Sequence, residues 1–336
     1  MILFYNSKEF KEYNYAKEDD FERDVVINSK LFFGQNTIYI DAKRKIESKS
    51  LGGAIPDGFL FDLSDKNNSD FYIVEVELSI HPFYEHIFRQ ITKFFAFFKN
   101  PNSHSELIDK LYKIITSDEL LEKEFNNLTG KKEIYKFIKD TLDNSQNILL
   151  IIDGEKKELP ETFNTYAEWG RMVKNIVLKK YVNNSECIFS MEPEFQNIEY
   201  VIGTTIDEEE ETAKYTEEER LEKSSHSVKE IYNIIKKSII SYDSNAIFNP
   251  RGYYISIKSK RNVAFFRFRK NKIKLIVLMP EENVKTKIKS HKIISLSEGV
   301  QNFYNGPCCA LEIDSRQNLE EVIELLKELL LTGKEG

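Results

Sequence analysis

The run Phe71-Tyr-Ile-Val-Glu-Val-Glu-Leu78 carries two carboxylates two residues apart, Glu75 and Glu77. Side chains alternate faces along a strand, so both glutamates point the same way. An apolar strand that aims two carboxylates at one spot is costly unless something positive sits there. A divalent cation is the natural occupant, since Mg²⁺ is held by a few carboxylates together with water. Asp57, in Ile55-Pro-Asp-Gly58, lies eighteen residues before Glu75 and can supply a third oxygen from a neighbouring strand. Three such oxygens are the minimum for metal-assisted hydrolysis of a phosphodiester. Paired glutamates on a strand are also compatible with one solvated face of an antiparallel sheet.

The elements that must hold these groups follow from pattern. Asp19 to Phe33 reads as a helix with early acidic residues. Thr37–Asp41 reads as a strand, and Asp57–Leu63 and Phe71–Leu78 as two more, joined by a polar turn from Ser64 to Asp70. Proline cannot donate to a ladder, so Pro56 marks the start of the strand carrying Asp57. Gly52-Gly53 just before it leaves the chain free to approach a ligand closely. Pro82 opens a long helix, Phe83–Phe98. Three helical patterns follow between Ser105 and Leu142, then a buried strand, Ile148–Ile152. A helix is expected over Glu161–Tyr181, with strands at Glu186–Met191 and Glu199–Ile202. This order describes an α/β chain with a mixed sheet flanked by helices.

Glu22 in the first helix, Asp57, Glu75, Glu77 and Gln90 together resemble the PD-(D/E)XK, or restriction-endonuclease-like, nuclease superfamily. The resemblance covers residues 15 to 155. It implies that Glu22, Asp57 and Glu75 ligate one or two Mg²⁺ (or Mn²⁺) ions, and that Gln90 orients the strand or the substrate. The chain departs from the pattern at Glu77, which stands where a lysine is usual. That leaves three candidates for the base: Glu77 itself, Lys43 or Lys93. Arg89 can contact a phosphate, for which arginine is the better bidentate partner, and Lys43 and Lys93 are further candidates for contact with nucleic acid. His81 and His86 follow the glutamates; each is a residue type that can ligate a metal or carry a proton, with turn packing and helix capping the expected roles. Trp169 is expected to pack in the core or at an edge.

Composition sets the wider frame. With 336 residues, 31% charged and 12% aromatic, the chain is globular and long enough for two domains. The net charge is −7, but it is segregated. From Ser225 onward there are 19 Lys+Arg against 12 Asp+Glu, net +7; the preceding residues hold 29 against 43, net −14. Residues 1–206 are expected to form the nuclease-like domain, 207–224 an acidic linker or frayed helix, and 225–336 a second α/β domain. The latter has helices at Val228–Ile240 and Leu319–Leu331 and strands at Gly252–Lys258, Asn262–Arg269 and Lys272–Leu278. It resembles a small domain of unknown function found at the C-terminus of predicted nucleases. No signal sequence, membrane span or disulfide spacing is visible, and the three cysteines include the adjacent Cys308 and Cys309, so a reduced, cytoplasmic protein is expected.

Between Arg251 and Lys274 there are nine Lys/Arg and no Asp or Glu, interleaved with Tyr253, Tyr254, Phe265, Phe266 and Phe268. Basic groups neutralise phosphates and aromatic rings stack on bases. Alternation puts Arg267 and Arg269 on one face as candidate nucleic-acid contacts; a lysine-fringed sheet over an aromatic core is the other reading. The first expectation for function is a Mg²⁺-dependent endonuclease acting on DNA, in defence against foreign DNA or in repair, with a homodimer as one assembly. Two others remain: a catalytically silent nucleic-acid-binding protein keeping the fold, and a protein-interaction module whose basic sheet meets an acidic partner.

Overall fold

The computed structural model describes residues 1–45, 55–65, 69–130, 133–165, 172–184, 186–198, 215–251 and 254–335. The chain divides into two compact units, Met1–Glu199 and Tyr200–Gly336.

In the first unit an eight-stranded mixed sheet runs in the order β1-β2-β7-β6-β5-β4-β3, with β8 also paired to β7. The strands are β1 (Ile2–Tyr5), β2 (Lys8–Tyr13), β3 (Thr37–Asp41), β4 (Gly58–Asp62), β5 (Asp70–Glu77), β6 (Asn147–Ile152), β7 (Val173–Asn183) and β8 (Glu186–Glu192). The β5–β6 and β6–β7 pairs are parallel and the other pairs antiparallel. Residues 71–77 of β5 and 148–152 of β6 are buried throughout; the β6 run is wholly apolar, and β5 is apolar save for Glu75 and Glu77. One face packs on helices α4 (Phe88–Lys99), α5 (Pro101–Thr116), α6 (Glu119–Thr129) and α7 (Ile134–Asn144), through residues such as Phe94, Leu111, Phe125 and Ile138. The other face packs on α1 (Glu18–Ile27) and α2 (Ser29–Phe33), through Phe21, Val25, Phe32 and Phe33. A short helix, α3 (Ala42–Lys45), follows β3, and α8 (Glu158–Thr165) follows β6.

The expected mixed α/β architecture is thus the one found, with local corrections. The single first helix is two, because Asn28 (φ −102°, ψ 15°) leaves the helical region and its side chain caps the carbonyl of Asp24. Of the helix expected over Glu161–Tyr181, residues 161–165 belong to α8, residues 166–171 lie outside the described residues, and Val173–Asn183 is strand β7. Its buried residues Val173, Ile176, Leu178 and Tyr181 are spaced by three, two and three, compatible with either period. Pairing with β6 over residues 173–177, and with β2 and β8 on opposite edges of residues 180–182, decides for strand. The N-terminal hairpin of β1 and β2 had no clear alternation to announce it. Gly52-Gly53, residues 66–68, Trp169, the strand expected at Glu199–Ile202, residues 207–214 and Tyr253 lie outside the described residues.

The second unit has a six-stranded antiparallel sheet, β13-β14-β12-β11-β10-β9. Its strands are β9 (Ile247–Pro250), β10 (Ile255–Lys258), β11 (Asn262–Phe268), β12 (Ile273–Val277), β13 (Lys292–Ser295) and β14 (Cys309–Ile313). Helices His226–Tyr242 and Leu319–Glu335 pack on it through Ile231, Tyr232, Ile235, Val322, Leu326 and Leu330. The acidic stretch is not all linker: Glu217–Leu221 is a helix closed by a Thr216/Glu219 capping box, and Glu217 accepts hydrogen bonds from Tyr232 and Lys236. The expected aromatic stacking platform is also corrected. Phe265 and Phe266 are buried in separate cores on the two faces of the sheet, and Phe268 packs partly buried against Tyr232. Arg267 pairs with the hydroxyl of buried Tyr304. Lys272, itself buried, pairs with Glu312 at 2.6 Å, and Lys274 reaches the same carboxylate. The rings are core and part of the charge is structural.

Candidate metal centre

Strand β5 changes character along one face. Phe71 and Ile73 belong to the core beneath α4–α7, and alternation continues that face with Glu75 and Glu77. Glu75 is 3% exposed and Glu77 0%, so the solvated-face reading is excluded. The pair sits at the carboxyl end of a strand that runs parallel to its neighbour, the end where α/β sheets place ligands.

Asp57 precedes β4 rather than starting it. Its amide donates to the Val74 carbonyl (3.1 Å) and its carbonyl accepts from the Ala42 amide (3.1 Å), locking it between β3 and β5. Its Oδ2 accepts from the Val76 amide at 2.6 Å, and its Oδ1 meets Lys43 Nζ at 2.5 Å. The next residue must be glycine: a Cβ at position 58 would run into the Tyr39 ring and hydroxyl. Lys43, on α3, reaches the other way to Glu22 at 2.6 Å and Glu18 at 4.0 Å. Those two glutamates lie one turn apart on α1, on the same face.

A second group of contacts surrounds Glu77. Gln90 Nε2 donates to its Oε1 at 2.8 Å, His86 Nε2 lies 3.0 Å from the same oxygen, and His81 Nδ1 lies 2.8 Å from Oε2. His81 Nδ1 is also 3.3 Å from Glu18. Pro82 and a π-helical turn, Phe83–Ile87, deliver His86 one turn ahead of Gln90; such turns recur at functional sites. The loop carrying His81 is pinned from beyond β6, where Asp153 accepts from the Ser79 amide (2.6 Å) and Lys156 donates to the His81 carbonyl (2.7 Å).

The electrostatics are those of a site short of positive charge. Burial pushes the Glu75 carboxyl well above its usual range, and Asp57 and Glu77 add to the shift. Its Oε2 is buried with no hydrogen-bond partner. Burial also raises Asp57 to about 7; the Lys43 ammonium opposes this and the Glu22 charge reinforces it. Glu18 is raised to about 8 by burial and by the charges of Glu77 and Asp57. Lys43 is raised as well: burial favours its neutral form, but Asp57 and Glu22 outweigh it and hold the ammonium charged. Among the described residues, five carboxylates thus surround the Lys43 ammonium, and the buried Glu75 Oε2 is unmatched. The donor set fits a divalent ion. Glu18, Glu22 and Asp57 offer ligand atoms within 4.8 Å of one another, and so do Glu18, Glu77, His81 and His86.

Of the residues singled out in the sequence, Glu22, Lys43, Asp57, Glu75, Glu77 and Gln90 converge. Arg89 and Lys93 are exposed, one helical turn apart on α4. Arg267 and Arg269 belong to the second unit. The sequence reading missed Glu18 and set metal-ligand and proton-carrying roles for His81 and His86 behind packing and capping. The signal available was spacing: Glu18 stands four residues before Glu22, His81 four after Glu77, and His86 four before Gln90. Comparison with protein-family models, curated proteins and solved structures returns no match.

Proposed function

We propose that the first unit is a Mg²⁺-dependent deoxyribonuclease of the PD-(D/E)XK kind. The observation that carries this is Glu75: a carboxylate 3% exposed, with an unmatched Oε2, beside Asp57 and within the field of Lys43. Glu22, Asp57 and Glu75 would hold the cation. When bound, it would supply an activated water and neutralise charge on the leaving phosphate oxygen.

The chain's own residues have separable tasks. Asp57 is fixed by Val76 and Lys43, so its ligand geometry is set before any ion arrives. Lys43 supplies the ammonium that position 77 lacks. Because its neighbours keep it protonated, it serves as a charge that orients water and phosphate, not as the base. Gln90 and the two histidines hold Glu77 in place, and a carboxylate so positioned can accept a proton. Arg89 and Lys93, both exposed on α4, would contact the phosphate backbone. Foreign-DNA defence or repair is the biology that such an activity suits, and a homodimer is an assembly compatible with it.

One observation favours a second reading. Glu77 stands at the lysine position with its oxygens already engaged, as in a fold that binds nucleic acid without cutting it. Supercoiled plasmid incubated with Mg²⁺, Mn²⁺ or EDTA separates the two. Metal-dependent nicking, lowered about 100-fold or more in Asp57→Asn and Glu75→Gln, supports the nuclease. Plasmid retardation without nicking in either metal supports the silent binder.

A further inference from the structure

The geometry points to a second cation site, formed by Glu18, Glu77, His81 and His86, that takes a first-row transition-metal dication of the Mn²⁺ or Zn²⁺ class. It stands beside the all-carboxylate set of Glu18, Glu22 and Asp57 and shares Glu18 with it. The inference rests on the same pocket as the nuclease reading but does not depend on cleavage.

Three features carry it. The first is ligand chemistry. Two imidazole nitrogens with two carboxylates suit Mn²⁺, Fe²⁺, Co²⁺ or Zn²⁺, whereas Mg²⁺ and Ca²⁺ select oxygen. The second is spacing. Ligand atoms bonded at about 2.0–2.2 Å stand about 3–3.5 Å apart around one ion. Here His81 Nδ1 is 2.8 Å from Glu77 and 3.3 Å from Glu18, and His86 Nε2 is 3.0 Å from Glu77. A single N–H of His81 donates well to one of its two carboxylates; an ion between all three satisfies both. The third is the unmatched Oε2 of Glu75, 3% exposed and on the same strand face as Glu77. It marks missing positive charge at this end of β5.

The elements are built to hold such a set. His81 is pinned through its backbone by Lys156, and Gln90 fixes Glu77 Oε1. That support resembles the outer hydrogen bonds that orient metal ligands. His81 and His86 are 28% and 43% exposed, so an ion has a path in.

The test uses the full chain stripped with EDTA and titrated with Mn²⁺, read by pulsed electron paramagnetic resonance for ¹⁴N couplings from imidazole. The wild type is expected to show them at one equivalent. His81→Gln/His86→Gln is expected to lose them and to bind Mn²⁺ at least about 10-fold more weakly. Asp57→Asn is expected to keep them. Should the double variant fail to fold, His86→Gln alone, at the more exposed position, is expected to weaken the nitrogen signal. Bound Mn²⁺ without ¹⁴N coupling in the wild type, or no binding at millimolar Mn²⁺, overturns the site. Nitrogen coupling in a protein that never nicks plasmid overturns the nuclease reading and leaves this site standing.

Discussion

Replacing Glu75 by Gln tests whether the buried carboxylate is a position built for a cation. The side chain keeps its shape and loses the charge that burial, Asp57 and Glu77 all oppose. The folded-state pKa of Glu75 lies above its unfolded value, so the folded chain keeps a proton that the unfolded chain has released. The resulting stability is fully present below about pH 4.5 and is lost as pH rises towards the folded value. One such group gives a slope of about 1.4 kcal/mol per pH unit. Asp57, raised to about 7, adds its own slope between about pH 4 and 7. Urea unfolding of the EDTA-treated protein, followed by circular dichroism, should therefore show stability falling steeply from pH 5 to 7. Glu75→Gln should remove its share of that fall, at most about 1.4 kcal/mol per pH unit up to the folded pKa of Glu75. Mg²⁺ should reverse the ranking, because an ion at 100 times its Kd adds about 2.7 kcal/mol to the form that binds it, and Gln binds it poorly. Parallel pH curves in EDTA, or a Gln variant less stable than wild type at pH 7 without metal, would refute the reasoning.

Lys43→Met should lower plasmid cleavage about 100-fold, with Lys43→Arg retaining more, measured under identical Mg²⁺; equal activity of all three would remove Lys43 from the site. Gly58→Ala should destabilise by about 1–3 kcal/mol, since a Cβ there meets the Tyr39 ring; Gly58→Ala/Tyr39→Phe should recover little, because the ring carbons clash as well as the hydroxyl. In the second unit, Glu312→Ala strands the buried Lys272 ammonium and should cost about 3 kcal/mol in urea unfolding. Glu312 is itself lowered, its Lys272 bond overcoming burial, so its contribution is lost as pH falls through the folded value. A Glu312→Ala protein with unchanged stability at pH 4.5 and at pH 7 would show that the pair is immaterial.

Local rules carried the sequence reading a long way. Alternation alone put Glu75 and Glu77 on one side of β5, and an unbroken apolar run announced β6. Pro56 marked the approach to β4, and Gln90 stood at helical spacing on the element that follows. Each of these depends on neighbours within a few residues, where backbone geometry fixes side-chain direction. The tertiary structure decided the rest. Nothing local to Val173–Asn183 separates strand from helix; its ladders with β2, β6 and β8 do. Nothing local to Lys43 assigns its ammonium to Asp57 rather than to a phosphate, and nothing local to Phe265 or Phe266 turns a stacking surface into core. Burial of the glutamates is likewise a property of the whole sheet and its helices. That burial raises the carboxyl pKa values and leaves an oxygen without a partner, because the cost of a charge depends on everything packed around it.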